Sequence, residues 1–329
     1  MPRRFVNQFG PGEKMEDQIF LIAAKDLRTT SQGSLYIHAV LTDRTGQIPG
    51  RMWQANEAIY KSMPEGGFLA FNGRTESYKG SLQFIIDGIR IVEEGSVDLG
   101  DFLPKTDQDI DAMYKRTLEI LKTIKQKDLK ALVEAFVKDR SIMDRFKTAP
   151  AAVQHHHAFI GGLLEHTVSL LELALVVIPK YPKLSLDLVL SAIFLHDIGK
   201  TAELTYDTNF KYSTEGQLVG HIAKACLWVE QKCDGLAAAS KPIDEDVRVA
   251  VLHMILSHHG TREFGSPVLP AMPEAIALHH LDNLDAKVHT FLREIENDSD
   301  DQSDWTQYIR SLETRILKKD MFGTRGNTH

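Results

Sequence analysis

The chain has 329 residues, 43% hydrophobic and 25% charged, with a formal net charge of −7, a size that allows two domains or one large core plus a small module. Its only cysteines, Cys226 and Cys233, exclude a disulfide scaffold and place the protein in a reducing, cytoplasmic compartment. The acidic balance speaks against a protein that coats duplexes through a basic surplus, and leaves open an enzyme that holds nucleic acid locally.

The charge is unevenly placed. Residues 1–95 carry 11 basic and 11 acidic side chains, so the whole deficit lies beyond them. The first residues, Met-Pro-Arg-Arg-Phe-Val-Asn, have no apolar core and predict no secretory signal. No apolar run reaches about 18 residues, so no membrane span is expected.

Residues 1–12, with Gly10, Pro11 and Gly12, read as a flexible arm. From residue 18 to 95 the pattern is extended. Gln18–Ala24 is short and apolar. Ser34–Asp43 alternates, with Leu35, Ile37, Ala39 and Leu41 on one face, and Asp43-Arg44-Thr45-Gly46 signals a turn. Gln47–Trp53 is a third strand, Ala55–Met63 a short helix, and Phe68–Thr75 and Leu82–Val92 two more strands around a hairpin tip at Tyr78-Lys79-Gly80-Ser81. Five strands with a helix after the third predict a small all-β barrel of the OB-fold kind. Such barrels bind single strands by stacking bases on exposed aromatics beside basic groups. The candidates are Tyr36, Trp53, Phe71, Tyr78 and Phe84, with Arg51, Arg74 and Lys79. Trp53 beside Arg51 and Tyr78 beside Lys79 are preferred.

Residues 96–109, rich in Gly and Asp, read as a linker. From Ile110 the apolar spacing becomes helical. Helices are expected at Ile110–Ile124, Leu129–Val137 and Ser141–Lys147. The run Gln154-His155-His156-His157 opens a loop, and His156 and His157 are candidates for contact with a phosphate backbone. Further helices are expected at Gly162–Ile178, Leu186–His196, Glu215–Gln231, Glu245–Ser257 and Pro273–Ile295. Residues 201–213, 234–242 and 261–269 read as loops. An acidic stretch follows residue 294, and Trp305–Leu317 is expected to be a last helix.

The informative feature is where metal-ligating residue types fall. His166 sits inside one apolar helix, and His196 and Asp197 end the next. His221 lies in the following helix, His258 and His259 end another, and Asp282 interrupts the apolar run Ile276–Leu284. A lone buried His is usually a satisfied core residue. One set on each consecutive helix is hard to explain without a metal, because buried charge is costly unless paired or bound. Mixed imidazole and carboxylate donors suit Zn, Mn, Fe, Co or Ni. Two such ions can clamp a phosphodiester and generate hydroxide. Lys200, one turn past Asp197, could meet a phosphate oxygen. Asp285, on the face of Asp282, could orient a ligand or the substrate sugar.

The set His166, His196-Asp197 and Asp282 resembles the HD superfamily of metal-dependent phosphohydrolases. Gly161-Gly162-Leu163-Leu164-Glu165-His166-Thr167, His196-Asp197-Ile198-Gly199-Lys200, Gly220-His221-Ile222 and Leu281-Asp282-Asn283-Leu284-Asp285-Ala286-Lys287 resemble the YhaM-type 3'-5' exoribonucleases, which place an OB-fold before the HD domain. The resemblance spans residues 15–295. It implies a first metal on His166, His196, Asp197 and Asp282. It implies a second completed by His221, His258 and His259, with Asp197 bridging and Mn as the expected ion. It also implies 3'-5' hydrolysis of single-stranded RNA, with DNA as a further substrate, and a homo-oligomer. Two other readings stand beside it. A nucleotide or cyclic-nucleotide phosphohydrolase would not need the barrel, and the chain lacks a Gly-Tyr-Pro signature. A non-enzymatic nucleic-acid-binding module would be expected to have a broken ligand set. The resulting domains are 1–95 for the barrel, 110–295 for the metal domain, and 296–329 for an acidic stretch with a C-terminal helix or tail.

Overall fold

A computed structural model describes residues 3–78, 80–92, 95–153, 157–206, 210–298, 300 and 303–323. Two compact units form, Met1–Lys105 with Thr205–Lys211, and Thr106–Leu204 with Tyr212–His329. The fold is an OB-fold-like barrel followed by a largely α-helical region.

The barrel strands are β1 (Lys14–Thr29), β2 (Leu35–Asp43), β3 (Gly46–Met52), β4 (Phe68–Tyr78) and β5 (Ser81–Ile91), with α1 (Glu57–Ser62) after β3. They close in the order β1-β2-β3-β5-β4, and β3 runs parallel to β5. Alternation sets the inside: Ile37, Ala39 and Leu41 are wholly buried, with Phe20, Phe71 and Phe84 packed as a ring cluster beside them. Strand β1 is longer than expected because two register shifts, at Met15/Gln18 and Ile22/Ala24, let it bend and pair with both β2 and β4. The expected flexible arm is instead packed: Phe9 stacks edge-on against Phe20 at 6.1 Å and the Val6 N–H donates to Asp43.

The expected linker is also partly structured. Phe102 and Leu103 are buried, Phe102 stacks on Phe68 at 4.7 Å, and the Arg3 guanidinium lies 3.9 Å over its ring. Two apolar residues in an acidic stretch are thus enough to fasten it to the barrel.

The helical unit contains α2 (Ile110–Leu121), α3 (Lys127–Val137), α4 (Arg140–Thr148), α5 (Gly162–Val177), α6 (Leu186–Leu195), α7 (Lys200–Glu203), α8 (Thr214–Ala238), α9 (Glu245–Ser257) and α10 (Pro273–Asn297). Helix α5 packs against α2, α4, α6 and α10, and α9 bridges α6, α8 and α10. No membrane span was expected, yet Gly162–Lys180 has the length and mean hydropathy, 1.6, of one; 61% of it is buried within the protein, as the central helix of this unit. The loop expected from residue 234 begins later, because Leu236-Ala237-Ala238 carries α8 onward with strong helix formers.

The expected last helix is a correction. Residues 305–317 form a hairpin-like turn, with bridges Trp305↔Leu317 and Ile309↔Thr314 and Glu313 in the left-handed region. Its β-branched residues favour extended backbone. The Thr306 N–H donates to the Ile316 carbonyl, and the Ile316 N–H donates to Thr306 Oγ1.

Candidate metal centre and nucleic-acid interface

The helical unit sets ligand-type residues on five helices, two pairs of them just past helix C-termini: His196-Asp197 after α6 and His258-His259 after α9. Every residue from Leu188 to Leu195 on α6 is buried, and the helix delivers His196 and Asp197 into the interior just past its last turn. His166 projects from α5, His258 follows the end of α9, and Asp282 comes from α10. His221 arrives by a different device. Gly220 has φ +74° and ψ 160°, which breaks α8 immediately before His221 and turns the side chain inward.

Asp197 is the centre. Its Oδ1 is 3.4 Å from His221 Nε2 and 3.7 Å from His258 Nε2. Its Oδ2 is 3.4 Å from His196 Nε2 and 4.0 Å from His166 Nε2. His166 Nε2 is also 3.2 Å from Asp282 Oδ1. Ligand atoms of His166, His196 and Asp197 fall within 4.8 Å of one another, as do those of His196, His258 and Asp282 and those of His221, His258 and His259.

The far side of each ring is already committed. Nδ1 of His196 meets the Ile193 carbonyl at 2.7 Å, and Nδ1 of His258 meets the Ile255 carbonyl at 2.7 Å. Nδ1 of His259 meets the Phe264 carbonyl at 2.7 Å, that of His166 meets Asp285 at 2.7 Å, and that of His221 meets Glu203 at 3.0 Å. An acceptor on Nδ1 holds a proton there and directs Nε2 to the metal; on His166, whose Nε2 also meets Asp282, a second proton must first leave. His196 Nε2, His221 Nε2, His258 Nε2 and Asp197 Oδ1 are buried without a hydrogen-bond partner among the described residues. Four orphaned polar atoms gathered around one carboxylate are too costly to leave so, and divalent cations held among them would satisfy them.

The electrostatics agree. Burial pushes the His258 imidazole far below its ordinary range, helped by His196 and His259, so it is neutral. Burial opposes charge on Asp197, but Lys200 and His196 outweigh it and hold the carboxyl well below the usual range. Burial likewise opposes charge on His166, yet hydrogen bonds to Asp282 and Asp285 push it up to about 10. Metal binding at its Nε2 must therefore displace a proton.

Other sequence candidates fall differently. Lys200 Nζ lies 2.6 Å from Asp197 Oδ2 and lines a cavity of about 580 Å³ with Asp282, Asn283, Lys287, Thr290 and Phe264. Asp285, which the sequence offers to orient a ligand or the substrate sugar, is buried behind His166 and holds that ring rather than facing the cavity. His157 is no backbone-contacting loop residue: its side chain is wholly buried against Asp285. His156 and Lys79 lie outside the described residues. Glu203 was missed, because its segment reads only as a polar loop. It accepts from both the backbone N–H and the ring of His221.

On the barrel, Tyr36 and Trp53 pack with ring centroids 5.1 Å apart, and the Arg51 guanidinium lies 5.8 Å from Trp53 and 5.3 Å from Tyr78. Trp53 and Tyr78 remain 43% and 47% exposed, which core aromatics would not be. Phe71 and Phe84 are core, and Arg74 spends its charge on Asp87 at 3.0 Å.

Residues 163–287 match the HD domain family. Over 317 residues the chain is 32% identical to the 3'-5' exoribonuclease YhaM of Geobacillus sp. (strain WCH70), covering 95% of this chain and 94% of that protein. The chain belongs to the YhaM family. The 3'-5' exoribonuclease YhaM of Bacillus subtilis (strain 168) is 31% identical over 312 residues, covering 94% of this chain and 96% of that one. A crystal structure of a domain of replication protein A from Methanococcus maripaludis aligns with 28% of this chain and 96% of its own at 21% identity, with a TM-score of 0.24. As a YhaM-family member with an HD domain and clustered His and Asp side chains, this chain is a metal-dependent nuclease.

Removing the acceptor behind His221 should loosen the centre without dismantling it. Glu203→Ala is expected to weaken divalent-metal affinity by roughly 10–100-fold, measured calorimetrically on chelator-treated protein, with Glu203→Gln affected less. Unchanged affinity in Glu203→Ala would remove Glu203 from the account.

Proposed function

We propose that this protein is a 3'-5' exonuclease that releases nucleoside 5'-monophosphates from single-stranded RNA, and that it does so in the cytoplasm as a homo-oligomer. Two divalent ions, Mn foremost, are its cofactor. His166, His196, Asp197 and Asp282 hold one. His221, His258 and His259 would hold the other, with Asp197 available to both. The observation that carries this reading is the convergence of orphaned imidazole nitrogens on both oxygens of Asp197. The names of the relatives support the polarity and the RNA substrate.

Ions held there would polarise a phosphodiester, lower the pKa of bound water and offset charge on the leaving oxygen. The chain's own residues do the rest. Asp197 places negative charge where two cations would otherwise repel. Neutral His258 ligates without cancelling Lewis acidity. Lys200 and Lys287 supply fixed positive charge in the cavity wall, suited to a non-bridging phosphate oxygen, and Asn283 and Thr290 offer hydrogen bonds to a sugar. A cavity of about 580 Å³ has room for a terminal nucleotide and none for a duplex. Tyr36, Trp53 and Tyr78 with Arg51 present a stacking surface on a barrel of neutral net charge. Stacking is indifferent to the sugar, so single-stranded DNA is included as a second substrate.

The decisive assay uses strands labelled at the 5' end, RNA and DNA, with and without a 3' hairpin, in Mn and in Mg. A descending ladder with 5'-monophosphates released is expected, stalling before the hairpin. Early internal cuts, immediate release of the label as a mononucleotide, or activity on free nucleotides alone would each overturn the proposal.

Trp53→Ala should weaken single-strand binding by roughly 1–3 kcal/mol with a shallow salt dependence throughout, read by fluorescence anisotropy over a salt series. A variant that stays folded and binds as tightly as the parent would take Trp53 out of the interface.

A further inference from the structure

Behind His166, away from the cavity, lies a second layer of polar groups that the reaction does not touch. Asp285 Oδ2 accepts from His166 Nδ1 at 2.7 Å and meets His157 Nε2 at 3.2 Å, while its Oδ1 accepts from Ser169 Oγ. His157 Nδ1 faces Glu165 Oε1 at 3.8 Å, and Glu165 Oε2 accepts from Thr106 Oγ1. All members except Ser169, which is partly exposed, are buried.

The placement of His157 has a conformational cost. Its φ is +53°, the left-handed region that side chains with a β-carbon avoid. The backbone around it is tied down: its carbonyl accepts from the Ala151 and Phe159 N–H groups, and a β-carbon on Gly162 would sit 2.0 Å from that carbonyl oxygen. A strained residue locked in place, wholly buried and aimed at a carboxylate, is there for what its ring does. A core residue filling the same space needs no donor and no strain.

We infer that His157 and Ser169 are positioning residues that lock the Asp285 carboxylate, which in turn fixes the ring orientation and Nδ1 proton of His166 and so sets the strength of its metal site. Asp285 alone could rotate about its terminal torsion. Donors on both oxygens remove that freedom, and the carboxylate then presents one lone pair to His166. The chain of contacts runs from the loop before α5, through α10, back to α5. This inference rests on the reading of His166 as a metal ligand.

The test uses full-length, chelator-treated protein and two readouts: the affinity for Mn by calorimetry, and the imidazole N–H resonance of His166 Nδ1 in the metal-free state. His157→Phe keeps the ring size and removes the donor, His157→Gln keeps a donor, and Ser169→Ala removes the second clamp with little change in volume. Expected are a loss of affinity of about 10-fold or more in His157→Phe and Ser169→Ala, a shifted or exchange-broadened His166 N–H signal in both, and recovery towards the parent in His157→Gln. Should His157→Phe fail to fold, Ser169→Ala carries the decision. Folded donor-less variants with the parent's affinity and an unmoved His166 signal would overturn the inference. Failure of the parent protein to bind any metal would instead sink the ligand reading on which it rests.

Discussion

Everything in the helical unit answers to one constraint: the Asp197 carboxylate is buried among imidazoles whose only uncommitted atoms point at it. The carboxylate has one fixed cation beside it, Lys200, on Oδ2. Its other oxygen faces Nε2 of His221 and Nε2 of His258, and Nδ1 of each ring is already bound to an acceptor. Where Nε2 carries a lone pair, as on neutral His258, its approach to the carboxylate is repulsive. A divalent cation turns that repulsion into a bond. The apolar helices α5 and α6 can be read as the scaffold that keeps this arrangement dry and rigid.

The same logic explains why two ligand pairs, His196-Asp197 and His258-His259, stand at helix ends. A helix interior offers one side chain per turn to a given point, and a helix end offers two neighbours plus free carbonyls. His196 and His258 each use such a carbonyl, three residues back, to fix Nδ1. His221 has no such carbonyl at hand after the Gly220 break, and Glu203 replaces it. The protein thus orients chemically identical rings by three means: a backbone carbonyl, Glu203, and the Asp285 layer.

Much of this was legible in the sequence, for definite reasons. The barrel showed through alternation at Ile37, Ala39 and Leu41, and the helices through uninterrupted apolar runs. The ligand-type residues stood out because charge inside such runs needs an explanation. What was hidden depends on contacts between segments far apart in the chain. Glu203 looks like any loop acid until Gly220 brings His221 beside it. His157 looks like a polar loop residue until the turn at Gly162 buries it. Asp285 shares a helix face with Asp282, but nothing in the spacing says which of them fronts the cavity. The C-terminal turn was missed because residues 305–317 combine a Trp and scattered apolar residues in a way that suits either helix or strand. Phe102 and Leu103 were passed over because the surrounding Gly and Asp dominate the reading.

The barrel and the helical unit divide the work by kind of interaction. One presents aromatic faces beside the Arg51 guanidinium in a region without net charge. The other concentrates charged and ligand-type side chains around one cavity. The account turns on whether cations occupy that site, and counting them is the most direct measurement. Elemental analysis of protein purified without chelator, with anomalous diffraction at the metal edge, should find two ions per chain lying between the helices that bear His166, His196-Asp197, His221, His258 and Asp282. No bound metal after incubation with Mn, Fe, Co and Zn would contradict it.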